Sequence, residues 1–269
     1  DAFRAVNLSL PKTTIDYAYV WNVNRIFGED NPLPNASDFP MRSHLLNVQY
    51  GGLSFAKLEG YSYLLDLDNE TAQHFSTSTF GLRIQSDFVP APNTKFTYAA
   101  EVANRRDFGR NATDINVNYF AAELGLNRAI GGAIEALGIK LNIEHLGGKG
   151  DVQSFQTPLG TNHAFQGFAD RFLVTPGDGI RDIFATLNIK TFGTQISTSF
   201  HVFNADRDGY RYGTEWDVLI ERTFAKGLLA GLKYADYRAD GNATNIARNT
   251  ASQQAFDLTK FWVYAQYKY

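Results

Sequence analysis

The sequence contains no cysteine, which excludes disulfide scaffolds, thiolate zinc sites and cysteine nucleophiles. It lacks an excess of one charge. Its 25 Lys and Arg against 28 Asp and Glu leave a net charge of −3, too small for a nucleic-acid binder or a strongly charged tail. Long apolar runs are missing too. Mean hydropathy is −0.28, and no stretch approaches the roughly 18 apolar residues of a spanning helix. Residues 1–10 lack the basic head and apolar core of a signal peptide. Aromatic residues are abundant, with 21 Phe and 14 Tyr. The 269 residues allow one large domain or two small ones. Composition alone admits a soluble all-β protein or a transmembrane barrel.

Periodicity separates these two. Ile15, Tyr17, Tyr19, Trp21 and Val23 alternate with Asp16, Ala18, Val20, Asn22 and Asn24. Leu137, Ile139, Leu141 and Ile143 alternate with Gly138, Lys140, Asn142 and Glu144, and Trp216, Val218 and Ile220 with Glu215, Asp217 and Glu221. A period of two marks a strand, whose successive side chains point to opposite faces. About thirteen such segments are readable: 2–10, 13–25, 43–51, 53–66, 77–87, 95–105, 115–127, 134–146, 181–190, 193–204, 213–223, 227–238 and 257–269. Many run about ten residues, the length a tilted strand needs to cross hydrocarbon.

The connections alternate in length. Pro11-Lys12, Gly51-Gly52, Thr191-Phe192 and Ala225-Lys226 are short, 88–94 and 128–133 somewhat longer. Between them fall long polar segments at 26–42, 67–76, 106–114, 147–180, 205–212 and 239–256. Short turns at one end and long loops at the other mark an outer-membrane barrel with its loops outside the cell. The fold expected is an all-β, transmembrane, antiparallel up-and-down barrel forming a single domain, 1–269. The closing run from Phe261 to Tyr269 resembles the terminal signal read by the barrel-insertion machinery, with Tyr269 on the periplasmic side. An odd strand count then starts Asp1 outside, where single-chain bacterial barrels start in the periplasm. Upstream strands are therefore expected.

Asp16-Tyr17-Ala18-Tyr19-Val20, Asn24-Arg25-Ile26-Phe27-Gly28, Ser43-His44-Leu45-Leu46-Asn47 and Tyr63-Leu64-Leu65-Asp66 resemble the alginate export family of outer-membrane porins. So does the segment 156–173, continuing through Thr175-Pro176-Gly177-Asp178-Gly179. The resemblance implies a barrel of about 18 strands, of which this chain is the C-terminal part, and a polysaccharide cargo.

The polar face predicts the pore lining. It carries Lys57, Arg83, Lys140, Lys190, Lys233 and Lys260 together with Glu59, Glu101, Glu123, Glu144, Asp182, Glu215, Asp217 and Glu221. Asp16 and Lys268 share the same alternation. A polyuronate conduit needs a strong excess of base, because a narrow low-dielectric channel amplifies charge selection. This mixed lining reads instead as a conduit for another hydrophilic solute. The acids on 215–221 with Lys233 suggest cross-strand ion pairs more than a cation site. Tyr61, Tyr63, Trp262 and Tyr264 read as girdle or barrel-packing residues more than as sugar platforms.

The loop 147–180 exceeds the usual connection length and contains an amphipathic stretch, 163–172, that suggests a short helix. His163, Phe165, Phe168, Asp170, Arg171 and Phe172 make it either a constriction inside the lumen or a cap outside it. Five scattered histidines show no metal-ligand spacing, and no G-x-S-x-G, P-loop or H-E-x-x-H motif is present. No enzyme activity, metal or cofactor is expected. The partners expected are outer-membrane lipids and lipopolysaccharide, the insertion machinery, and a hydrophilic solute or polysaccharide, with no nucleic acid. A porin or export channel is the leading reading. A structural or adhesin-type barrel, or a barrel enzyme, is the alternative.

Overall fold

The computed structural model describes residues 1–25, 28–31, 37–150, 153–160, 165–224, 227–241, 243 and 254–268. Thirteen strands form one antiparallel sheet in which every strand pairs with its sequence neighbours. They are β1 (Ala2–Asn7), β2 (Thr13–Val23), β3 (Phe39–Tyr50), β4 (Lys57–Leu65), β5 (Thr77–Ala91), β6 (Thr94–Asp107), β7 (Asn116–Gly131), β8 (Ile134–Leu146), β9 (Ile180–Thr191), β10 (Thr194–Asn204), β11 (Arg211–Thr223), β12 (Leu228–Ala239) and β13 (Leu258–Tyr267). Each expected segment is a strand, and the long and short connections alternate. Among the described residues β1 and β13 do not pair, so the sheet is open.

The differences lie at the ends. β3 begins at Phe39, not 43, and β4 at Lys57, not 53. Two connections contract into tight hairpins. Ala91 pairs with Thr94 across Pro92-Asn93, and Gly131 with Ile134 across Gly132-Ala133. Pro90, which has no N–H for a ladder, falls where the β5–β6 register shifts, between Phe88 and Ala91. Gly131 and Gly132 take φ of +87° and +80°, values that a tight hairpin demands and glycine supplies without strain. The expected turn at Ala225-Lys226 and the terminal Tyr269 lie outside the described residues.

The pleat divides the sheet into two chemically opposite faces. On one stand Phe80, Leu82, Val102, Leu124, Ile139, Leu141, Ile183, Leu187, Phe200, Trp216, Leu232, Phe261 and Val263, all exposed. On the other, Arg105, Asp182, Glu215 and Asp217 are buried. A protein folded in water arranges these residue types the other way round. An apolar outer band with a polar inner face is what a barrel in hydrocarbon requires.

Buried apolar residues collect on the inner face at the long-loop end. One cluster includes Ile115, Val117, Leu146, Phe155, Phe172, Phe203, Tyr212 and Tyr237. A second, Val20, Phe39, Met41, Leu65, Leu67 and Ala72, lies where a short 3-10 helix, Glu70–Phe75, closes the β4–β5 connection. The long-loop end of the inner face is thus filled by the chain's own loops, while the outer face is left uncovered.

That division predicts a sharp contrast between faces. Leu141, mid-strand and 54 % exposed on the apolar face, should cost about 2–4 kcal/mol as Leu141→Arg in a bilayer. Asn188→Arg, on the opposite face, should cost far less. Urea unfolding from lipid vesicles measures both, and equal costs would refute the assignment of faces.

Candidate functional site

The register places all fourteen predicted lining residues on one face. Glu59 stands opposite Arg83, which stands opposite Glu101, while Asp182 faces Glu144 on one side and Phe203 on the other. Two acid–base pairs form across neighbouring strands. Arg83 Nη1 lies 2.7 Å from Glu101, and Lys140 Nζ lies 3.1 Å from Glu123. Lys190 instead meets Glu135 at 3.0 Å. Asp16 meets Arg4 on β1.

The acids of β11 behave differently from the expectation of cross-strand pairing with Lys233. Glu215 and Asp217 accept hydrogen bonds from backbone N–H groups of the 147–179 loop: Ala169 N–H to Glu215 Oε1 (2.7 Å) and Phe168 N–H to Asp217 Oδ2 (3.1 Å). Glu221 accepts the Tyr264 hydroxyl. Lys233 Nζ sits 5.0 Å from the Phe168 ring centroid and 5.9 Å from that of Tyr264. The loop supplies backbone donors to these acids, His201 on β10 lies 3.7 Å from Asp217, and the lysine turns to aromatic faces.

The loop therefore folds over the charged face and is fastened there at several points. The Gln166 amide donates to Glu144. Lys260 Nζ bonds Asp170 Oδ2 at 2.9 Å. Arg171 donates to the Phe256 carbonyl (2.7 Å) and stacks over Tyr237. Phe172 is buried against Phe203, Tyr212 and Tyr237. Nearer the loop's start, Arg105 Nη1 donates to the Gln156 carbonyl (2.8 Å), and near its end the Tyr212 hydroxyl donates to Gly179 (3.0 Å).

The helix expected over 163–172 is absent from the described part, 165–172, which forms turns. Gln166, Gly167 and Asp170 have φ of +53°, +81° and +58°, incompatible with a right-handed helix. The N–H groups that would bond along a helix go to carboxylates of the sheet. His163 lies outside the described residues. Gly167 has a specific role, because a Cβ there would lie 2.5 Å from Glu215 Oε1.

The Gln166–Phe172 stretch covers the wall from β8 to β13 and the 154–156 stretch reaches Arg105 on β6, while the rest of the inner face from β3 to β10 borders open space. Two adjoining cavities lie there. One of about 430 Å³ is lined by Arg83, Glu101, Glu123, Lys140 and Glu144. One of about 480 Å³ is lined by Asn47, Tyr61, Tyr63, Thr79 and the loop residues Gln156 and Leu159. Phe165 borders both and is 61 % exposed. Tyr61, Tyr63, Trp262 and Tyr264 stand on this charged face, where a lipid-interface girdle is ruled out by register. Tyr61 donates to Glu101 at 2.6 Å and stacks on Tyr63, 4.9 Å between centroids.

Solved structures share this architecture. OpdK of Pseudomonas aeruginosa, crystallised with vanillate, superposes with a TM-score of 0.65 at 14 % identity, over 98 % of this chain and 68 % of that one. OccK9 (OpdG) of the same organism gives 0.66 at 10 % identity, over 98 % and 66 %. The outer membrane protein OprD of Pseudomonas aeruginosa gives 0.64 at 11 %, over 98 % and 68 %. The chain has the fold of these outer-membrane barrels. No family model and no curated protein matches the sequence, so the resemblance to the alginate export family gains no support.

Some of the site escaped the sequence. Arg105 was readable, because it continues the odd-numbered face of Glu101 and Ala103. Gln166, Tyr119 and Gly167 were not. Their roles arise from a loop returning over the strands, as when the Tyr119 ring packs against Phe155, 5.3 Å between centroids.

The absence of cysteine makes the anchoring directly testable. A single cysteine at Ala169, a buried position, should label slowly with a polar maleimide. Adding Gly167→Ala introduces a strained left-handed residue, costing about 1–2 kcal/mol, and should speed labelling about tenfold. An unchanged rate would show that the loop tip does not depend on this contact.

Proposed function

We propose that these strands form most of the wall of a bacterial outer-membrane channel for small hydrophilic solutes, narrowed from inside by the 147–179 loop. The observation that carries this reading is the fastening of the Gln166–Phe172 stretch to Glu144, Glu215, Asp217 and Lys260 on the charged face. A cap lying wholly outside the barrel would have no reason to return its backbone N–H groups to carboxylates on the inner face of the strands. The path runs along the charged face from β3 to β10, past Phe165 and over the Arg83–Glu101 and Lys140–Glu123 pairs.

The fold shared with OprD supports an outer-membrane location, and OpdK with vanillate shows such a barrel meeting a small organic acid. Within this reading the long loops face outside and the C-terminus the periplasm. The mixed charge of the path favours small solutes over a polyanionic polysaccharide, whose passage would require a basic excess. The lining thereby argues against alginate export, the activity implied by the family resemblance.

Acidic and basic groups lining a narrow passage act as steering centres. They replace part of the hydration of a passing solute, while Phe165 limits its cross-section. Single-channel recording in planar bilayers tests this. Deleting 156–172 should raise conductance several-fold, and Phe165→Ala should raise it by a smaller step. Equal conductance in all three proteins would remove the loop from the path. A barrel that passes no current with or without the loop would favour a structural or adhesin-type role.

A further inference from the structure

The outward face carries a second polar feature, just beyond its apolar band at the long-loop end. His145 on β8, Arg181 on β9, Asn204 on β10 and Arg211 on β11 are successive cross-strand neighbours. His145 is occupied by Asp206, 2.8 Å away. At this end of the sheet Arg42 is engaged by Asp66 and Asp68, Arg106 by Asn104, and Arg238 by Asp236 and Asp257. Arg181 and Arg211 are exposed, and among the described residues neither meets an acid.

Two strand spacings separate these arginines, about 10 Å, with the Asn204 amide between them. Toward the centre of the sheet lie Ile183, Phe200 and Trp216, all exposed, with the two aromatic rings 5.6 Å apart. Aromatics of this kind sit at the headgroup boundary. The pattern is two fixed cations flanking a neutral hydrogen-bonding group, above an apolar surface.

We propose that Arg181, Asn204 and Arg211 bind the doubly phosphorylated headgroup of a glycolipid in the leaflet at the long-loop end. The inference rests on the reading of this sheet as a membrane-spanning channel wall. Guanidinium groups grip phosphates through paired N–H donors. Two separate cations match two phosphates, where a phosphodiester lipid offers one. The amide between them meets the hydroxyls of the sugars that link the phosphates. The acyl chains then lie along Ile183, Phe200 and Trp216.

The test uses full-length protein inserted into phosphatidylcholine vesicles doped with bis-phosphorylated lipid A or with phosphatidylglycerol. Protease protection reports insertion, and native mass spectrometry of the extracted protein reports retained lipid. Wild type should retain lipid A in preference to phosphatidylglycerol. The R181E/R211E variant should insert normally and lose that retention by about tenfold for each arginine. Arg128→Glu, on the same face at the short-turn end, should retain lipid A as wild type does. Retention unchanged in R181E/R211E, or equal for the two lipids, overturns the inference and leaves the channel reading standing. A protein that does not insert overturns both.

Discussion

A strand crossing hydrocarbon must find partners for every backbone N–H and carbonyl within the protein. That requirement governs the rest of this structure. It forces thirteen strands into one continuous ladder, and the ladder fixes a pleat whose faces cannot be mixed. A slip of one residue in any strand would carry its charges to the lipid side and its apolar residues to the inside. Leu141 and Lys140 are neighbours in sequence and belong to opposite solvents. The marginal stability of a folded chain leaves no room for such an error, so register is specified at every strand.

The same constraint explains why the inner face is so fully cross-linked. Charges there are not free to dissolve. Arg83 with Glu101 and Lys140 with Glu123 are half-exposed pairs, worth little individually in water. Glu215 and Asp217 are in another regime, since neither is open to solvent. A buried acid without donors is expensive, whereas one that accepts hydrogen bonds avoids much of that desolvation cost. The loop's backbone supplies these donors at Phe168 and Ala169. Strand and loop therefore depend on each other: the acids are tolerated in burial because the loop covers them, and the loop stays in place because the acids hold it.

Much of this was legible from the chain alone. Alternation is a local property, so strands such as Leu137–Ile143 and their facing could be read residue by residue. The order of long and short connections followed from composition. Strand ends such as Phe39 were lost because β3 continues through Pro40, a residue that ordinarily argues against a strand. The loop was misjudged for a different reason. The spacing of Phe165, Phe168 and Phe172 suits a helix, but periodicity reports only what a segment prefers in isolation. Here the sheet offers its N–H groups better acceptors than their own carbonyls, and three left-handed residues follow from that exchange.

Those left-handed residues locate the strain in the molecule. Gln166 and Asp170 each bear a cost that a glycine would not, and both are bonded through their side chains, Gln166 to Glu144 and Asp170 to Lys260. The anchors on either side of Gly167 thus hold the backbone in a shape that the sequence between them resists. Gly167 itself must lack a side chain because Glu215 occupies the place of its Cβ. A segment fixed at several points against its own preference keeps one position rather than sampling many. On the channel reading proposed above, such a segment narrows a passage by a constant amount, so the opening beside Phe165 is set by the wall that grips the loop and not by the loop's own rigidity.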